Sequence, residues 1–294
     1  MVFINSEGKF NDNTYLIDGL YMGMKGTLAL YIIENNGKRM LIDTSTSNAF
    51  RKVYRKLEEL KLLPIHKLFL THAHADHVEA TSRFRKKNPE LEVYASIPAV
   101  ENLKHPERMN EVLGEPCKPV LDVIPLDEGN LIDLNGLKLR VYNFFGHTQD
   151  SIALLDEKNK NIFVGDTILD KYDPNSFNPT FFPPDFNEDA LLDTFKKLRN
   201  LKDKLNSICL AHYGAWTGED FFQILNDMEP IHVKTRNAFM EWHKQDLSLD
   251  EITLNYRNEF IPNSSFFKVE QLYGLRVIIN WLITGLKMAG IIKE

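Results

Sequence analysis

The chain carries only two cysteines, Cys117 and Cys209, in 294 residues. Two thiols cannot build a disulfide framework, which fits a reducing compartment. Cys209 lies in the apolar run Ile208-Cys209-Leu210-Ala211 and reads as core, whereas Cys117 follows Gly114 and Pro116 in a loop. A basic surplus is also missing. The net charge of −6 offers no cationic face for sequence-independent nucleic-acid binding, which runs on Lys/Arg–phosphate contacts. No uninterrupted apolar run could span a bilayer: Leu275 to Ile292 is broken by Arg276, Asn280 and Lys287. The first residues show no basic segment leading into an apolar one, so no signal peptide is expected and a cytoplasmic location is the default. Repeats and low-complexity tracts are absent as well. What is left is ordinary globular composition, 43% hydrophobic and 26% charged.

Histidine, by contrast, is concentrated. The stretch Leu68-Phe69-Leu70-Thr71-His72-Ala73-His74-Ala75-Asp76-His77 holds three of the nine histidines. Its apolar start reads as a buried strand, and four side chains able to bind a metal then fall within six positions. His72 and His74 alternate at the mouth of the strand, so both rings can turn toward one point. Asp76 and His77 open the next segment and can face a second point close by. Imidazole nitrogen with carboxylate oxygen suits zinc, and also iron, manganese or nickel.

Strands are expected at 13–19, 27–34 and 38–42, with Asn35-Asn36-Gly37 as a hairpin turn. Apolar residues at helical spacing mark 47–61, which Pro64 closes. A helix at 77–88, a strand at 91–95, a helix at 97–104 and an irregular connection from 105 to 120 follow. Strands resume near 121–124, 137–145, 151–155, 161–165 and 206–211, with a helix at 188–201. Residues 167–187 form a long loop rich in Pro and aromatics, and loops of that length are usually functional when ordered. Beyond Gly214 strand signals stop, and 219–228, 231–244, 248–259 and 268–288 read as helices. The expected division is therefore a β-rich unit, 1–214, and a helical cap or subdomain, 215–294.

Three more apolar strands deliver a metal-capable side chain at their ends: Phe145-Gly146-His147-Thr148, Val164-Gly165-Asp166-Thr167 and Leu210-Ala211-His212-Tyr213-Gly214. Five of the nine histidines thus end or follow an apolar strand, while His66, His105, His232 and His243 read as surface or packing residues. The series His-x-His-x-Asp-His, Gly-His-Thr, Gly-Asp and Ala-His-Tyr-Gly resembles the metallo-β-lactamase superfamily over roughly residues 10–214. That resemblance implies an α+β fold, a four-layer αββα sandwich with a dinuclear metal site at one edge, here with a C-terminal helical extension. It also implies that His72, His74 and His147 hold one metal, that Asp76, His77 and His212 hold another, and that Asp166 bridges the two. Asp43, in Leu41-Ile42-Asp43-Thr44, matches an early Asp that orients a ligand histidine.

Two divalent ions, zinc in the first instance with iron or manganese as alternatives, would lower the pKa of a shared water to give hydroxide near neutral pH. That hydroxide can attack an ester, thioester, amide, lactone or phosphodiester. Asp76 and Asp166 are the expected catalytic carboxylates. Tyr213 is a candidate oxyanion donor or general acid, with a packing role at the strand end as its other reading. Thr148 and Asp150 read as hairpin and orienting residues.

Within the superfamily, a helical C-terminus resembles the glyoxalase II-like and lactonase-like hydrolases, in which such a segment covers the metal edge. The expected activity is hydrolysis of a small acyl substrate, with the loop 172–186 and the last helices as an apolar wall. The mononuclear-iron persulfide dioxygenases share His-x-Asp-His but carry an Arg-rich clamp, where this chain has Leu169-Asp170-Lys171-Tyr172-Asp173-Pro174. A phosphodiesterase or nuclease activity is the further alternative; the one basic run, Lys196 to Lys204, reads as a solvated helix face. A metal-holding protein without turnover is disfavoured by the intact ligand set. The apolar face of 272–288 fits either a homodimer contact or a buried core helix.

Overall fold

The computed structural model describes residues 2–114, 117–268 and 272–293. Two seven-stranded sheets face each other. Strand β1 (Val2–Ile4) belongs to the second sheet. The first sheet runs in chain order through β2 (Gly8–Lys9), β3 (Thr14–Asp18), β4 (Ala29–Asn35), β5 (Lys38–Ile42), β6 (Lys67–Phe69), β7 (Glu92–Ser96) and β8 (Val123–Leu126). Strands β2 to β5 are antiparallel, and Asn36 and Gly37 both take positive φ, the two-residue turn that matches strand twist. Strands β5 to β8 are parallel, and each parallel step needs a crossover. Helix α1 (Phe50–Glu59) makes the first, α2 (Ala75–Val78) with α3 (Thr81–Lys87) the second, and α4 (Ile97–Lys104) with α5 (Glu107–Leu113) the third.

The second sheet adds β9 (Leu131–Leu134), β10 (Leu137–Asn143), β11 (Ile152–Asp156), β12 (Asn161–Phe163), a later β15 (Ser207–Cys209) and β16 (Ala215–Thr217). Its order is β1-β16-β15-β12-β11-β10-β9, and only β12 and β15 pair in parallel. Their crossover carries a separate hairpin, β13 (Asp170–Asp173) and β14 (Ser176–Asn178), and then α6 (Glu188–Leu201). Side-chain alternation explains the layering. On β4, Tyr31 and Ile33 face the space between the sheets, where they meet Phe163, Leu154 and Val141. Leu30 and Ile32 face the other way, toward Val53, Leu57 and Phe84 of the helices outside. The outer face of the second sheet packs on α6, giving an αββα sandwich.

Helices α7 (Gly218–Lys244), α8 (Leu249–Glu259) and α9 (Tyr273–Met288) complete the chain. Their Phe221, Phe239, Tyr256 and Leu282 join the apolar core that α6 forms with the second sheet. Gly285 lets α9 lie directly on the strand-to-helix segment before α6: a Cβ there would collide with the carbonyl of Phe181. Among the described residues, no helix is long and apolar enough to cross a membrane.

Several local expectations need correction. Strand structure does not stop at Gly214, because Ala215–Thr217 pairs with both β15 and β1. The helices expected at 219–228 and 231–244 are one, with Pro230 inside it; a residue without N–H breaks the pattern in sequence without ending this helix. The helix expected over 77–88 is split into α2 and α3, the irregular 105–120 contains α5, and the loop 167–187 contains a hairpin. The helix expected from 268 is described from Tyr273, since 269–271 lie outside the described residues.

Candidate metal centre

Strands β5 and β6 run in one direction, as do β10, β12 and β15 in the facing sheet, so their C-terminal ends share one edge of the sandwich. Just past β6, β10, β12 and β15 an apolar residue anchors the chain, which then releases a polar side chain. Leu70 precedes the segment 71–77, Phe144 precedes His147, Val164 precedes Asp166, and Leu210 precedes His212, all four apolar residues being fully buried. The sheets are joined at this edge by Ile152 N–H donating to the Thr71 carbonyl at 2.8 Å. Gly165, at φ 57°, makes a close approach possible, because a Cβ there would lie 2.9 Å from Thr71 Oγ1.

Seven side chains converge here in two groups: His72, His74, His147 and Asp166, then Asp76, His77 and His212. All seven are buried. Asp166 Oδ2 lies between the groups, 3.8 Å from His72 Nε2, 3.7 Å from His147 Nε2, 3.2 Å from His77 Nε2 and 3.4 Å from His212 Nε2. Asp76 Oδ2 is 3.4 Å from His77 Nε2 and 3.2 Å from His212 Nε2.

Four imidazoles are oriented from behind through Nδ1. His77 Nδ1 donates to Asp43 Oδ2 at 2.9 Å, and His147 Nδ1 donates to the Thr180 carbonyl at 2.9 Å. His212 Nδ1 donates to the Thr27 carbonyl. His72 Nδ1 lies 3.0 Å from Thr71 Oγ1, which in turn donates to Asp43 at 2.9 Å. A proton held on Nδ1 leaves the Nε2 lone pair aimed at the centre. His74 is turned the other way, with Nδ1 3.1 Å from His147 Nε2. Asp43 itself adopts φ 60°, a left-handed conformation that Asp tolerates better than most residues.

These atoms fit a pair of cations. His72 Nε2, His77 Nε2 and Asp166 Oδ1 are buried with no hydrogen-bond partner, an arrangement that is costly unless something electropositive meets them. Protonation tells the same story. Burial and the neighbouring imidazoles hold His72 well below the ordinary histidine range, and burial carries His74 down to about 3. Burial opposes charge on His77 and His212 too, but the carboxylates around them, Asp166 foremost, outweigh it and hold both well above that range. Burial also opposes charge on Asp76 and Asp166, yet the adjacent imidazoles keep both well below the usual carboxylate range. Without metal, the two carboxylates are thus balanced by protons on His77 and His212, the places that a pair of cations would take over.

The remaining expected residues are placed as follows. Asp150 accepts from Thr148 Oγ1 at 2.6 Å and from Asn102 Nδ2 at 2.8 Å, fixing the loop after His147. Tyr213 is not brought to the cluster: its hydroxyl donates to the Asn5 carbonyl at 3.3 Å, and it lines a separate groove with Asp18, Lys25 and Lys56. His66 accepts from Arg39 N–H, His105 is exposed beside Glu101, and His232 is buried against Glu188. His243 is half-buried in the last turn of α7.

A cavity of about 520 Å³ opens over the cluster, touching His74, Asp76, His147, Asp166 and His212. Its walls come from Phe182, from Phe266 and Phe267, and from Val277, Ile278 and Trp281 of α9; Met22 and Met24 border it as well. One acidic residue of this cavity has no role assigned from sequence. Asp170 lines it, is buried, and leaves Oδ1 without a partner. Its only signal was its position, four residues after Asp166 and directly after the apolar pair Ile168-Leu169.

Known proteins are similar to this chain in sequence and in fold. Hydroxyacylglutathione hydrolase of Crocosphaera subtropica is 28% identical over 186 residues, which is 61% of this chain and 61% of that enzyme. The match thus spans less than two thirds of the relative's length. The fold is shared with an archaeal metallo-beta-lactamase superfamily protein from Sulfolobus tokodaii, at a TM-score of 0.65 and 17% identity, covering 95% of this chain and 99% of that one. It is shared equally with a metallo-beta-lactamase family protein of Thermus thermophilus, at a TM-score of 0.65 and 21% identity over 94% of this chain and 92% of the other. The family model of the metallo-beta-lactamase superfamily matches residues 29–212, from the strand behind the site to its last histidine, and the chain belongs to that superfamily of metallo-hydrolases.

Proposed function

We propose that this protein is a two-metal hydrolase that opens the ester, thioester or lactone bond of a small acyl compound. The observation that carries the reading is the position of Asp166, whose Oδ2 lies within 3.8 Å of imidazole nitrogens from both groups. His72, His74 and His147 would hold one ion, Asp76, His77 and His212 the other, and Asp166 both. Zinc, iron and manganese all suit this nitrogen and oxygen set. When bound, such a pair supplies an activated water near neutral pH and polarises the attacked carbonyl.

The protein's own groups do the rest. Asp43 and Thr71 keep protons on the outer nitrogens of His77 and His72, so that the inner nitrogens stay available. Phe182, Val277, Ile278 and Trp281 exclude water and offer an acyl group an apolar wall beside the reacting bond. The activity in the name of the Crocosphaera relative supports cleavage of an acyl bond. Tyr213 has no part in this scheme. Cys209 is a buried free thiol, and a chain with so few cysteines suits a reducing, cytoplasmic setting.

The test is metal content of protein purified without added metal, followed by assay against esters, thioesters and lactones. About two ions per chain with turnover is the expected result. A single iron per chain with oxygen uptake on a persulfide would replace this reading with the dioxygenase one.

A further inference from the structure

The basic run at 196–204 is not the only one in the folded chain. There, Lys196, Lys197 and Arg199 face the carboxylates of Asp193, Glu128 and Glu229. A second group is assembled from two helices on the outer side of the first sheet. Helix α1 carries Arg51, Lys52, Arg55 and Lys56, and α3 carries Arg83, Arg85, Lys86 and Lys87; the only carboxylates on either are Glu58 and Glu59. Ring contacts bring the helices side by side. Phe50 and Phe84 meet at 5.0 Å between centroids, Arg83 lies 5.9 Å over the Phe50 ring, and Lys87 lies 5.6 Å over the Tyr54 ring. Successive turns of α3 thus follow successive turns of α1. Lys56 is answered by Glu7 and Glu59, and Arg85 donates to the Asp122 carbonyl. Arg51, Lys52, Arg55, Arg83, Lys86 and Lys87 are exposed, and among the described residues none of them pairs with a carboxylate. In a chain of net charge −6, that is a concentrated positive field.

This face adjoins the opening of the metal cavity. Ala49 and Lys52 share a groove with Tyr21 and Met22, and the latter two line the metal cavity as well. Met22, Met24 and Tyr273 are exposed where that cavity opens. Helix α1 has ten residues, so its cations lie within about 15 Å of helix from that groove. Resting on the hydrolase reading above, we infer that the acyl group is delivered by a small acidic carrier protein, which docks on α1 and α3 and presents its thioester on a flexible arm at the adjoining mouth. Complementary charge steers the encounter and fixes its orientation. Two other polyanions fit less well. Carboxylates close the far end of the face, Glu58 and Glu59 on α1 and Glu90 just beyond α3, so an extended bilayer or duplex would overrun onto like charge. Neither helix exposes a large apolar side chain that could enter lipid. The rings beneath the cations, Phe50 and Phe84 buried and Tyr54 under Lys87, offer no face to a base.

The probe is a purified acyl carrier protein bearing a decyl thioether, which cannot be hydrolysed. It would be titrated with the metal-loaded full chain and followed by fluorescence anisotropy of a dye on the carrier. Binding is expected at low salt and should weaken at least about tenfold when salt is raised to about 0.3 M. Arg51→Glu with Arg55→Glu should cost at least about tenfold in affinity, and so should Arg83→Glu with Lys87→Glu. Lys202→Glu with Lys204→Glu, the same change in net charge just after α6, should not. Circular dichroism checks the fold of all three, and turnover of free decanoyl-N-acetylcysteamine should match the parent in each. No carrier binding, or parental affinity in both α1 and α3 variants, overturns the inference. Tighter charge-dependent binding to phosphatidylglycerol vesicles or to duplex DNA than to the carrier overturns it too. Cleavage of the free thioester without carrier binding removes the docking face and leaves the hydrolase reading. Charge-dependent carrier binding with neither thioester cleaved does the reverse.

Discussion

Asp43 and His77 form the pivot behind the metal centre: a 2.9 Å hydrogen bond joins the carboxylate to the ring, and the same carboxylate reaches His72 through Thr71. One buried acid therefore sets two of the five imidazoles, one from each metal group. Asp43→Ala should lower metal affinity about 10–100-fold, the usual effect of losing such an orienting partner. Chelator competition measures this. An affinity unchanged from the parent would show that the ligands orient themselves.

Asp166 is shared by both groups, so its loss should affect both ions. Asp166→Ala is expected to leave fewer than two metals per chain by elemental analysis and to abolish turnover, with the far-ultraviolet spectrum retained. His72→Ala should do likewise. Full activity in both variants would remove the centre from the reaction.

Removal of metal should make stability depend on pH in two directions. His74, held down at about 3, and His72 and His147, also lowered, stay neutral in the folded protein when the unfolded chain takes up protons near 6.5. Stability from these groups is lost as pH falls below that value. His77 and His212 are raised, so their contribution is present below the ordinary histidine value and is lost as pH rises through the raised ones. Melting of the metal-free protein should therefore be highest near neutral or slightly acid pH and decline on both sides. Loaded protein, in which ions replace those protons, should lose the alkaline decline. A flat profile for metal-free protein would contradict the charge balance described.

Of the glycines, Gly285 on α9 leaves the least room for a Cβ, which would meet the Phe181 carbonyl. Gly285→Ala should destabilise by about 1–3 kcal/mol, as overpacking generally does, and it should also weaken metal binding. The route is short: the added Cβ presses on Phe181, next to Thr180, whose carbonyl orients His147. Thermal melting and chelator competition together check this, and a stability loss with metal affinity intact would show that the segment absorbs the shift.

Much of the site could be read in the chain because strand ends leave a local signature. Apolar residues at Leu68–Leu70, Phe144, Val164 and Leu210 each precede a polar ligand, and that pattern survives without any knowledge of tertiary pairing. The hairpin at Asn36-Gly37 was visible for the same reason, since its turn type demands those residues. Ala215–Thr217 was hidden because three residues carry no periodicity; pairing on both sides makes it a strand. Pro230 misled because propensity is local, whereas Met228, His232 and Thr235 on one buried face keep the helix continuous. Asp170 was missed for a third reason. A lone acid becomes informative only when its surroundings are seen to leave it unpaired.

The oxygens that fix the ligand rings come from distant parts of the chain: Asp43 after β5, Thr27 before β4 and Thr180 before α6. The His-x-His-x-Asp-His segment emerging alone from a ribosome would therefore have flexible rings in mixed tautomers and little grip on any ion. Capture of metal has to wait until the two sheets close. The choice of ion is then made by a finished cage in equilibrium with the surrounding metal pool rather than by the nascent chain, which makes metal availability around the folded protein a determinant of its activity.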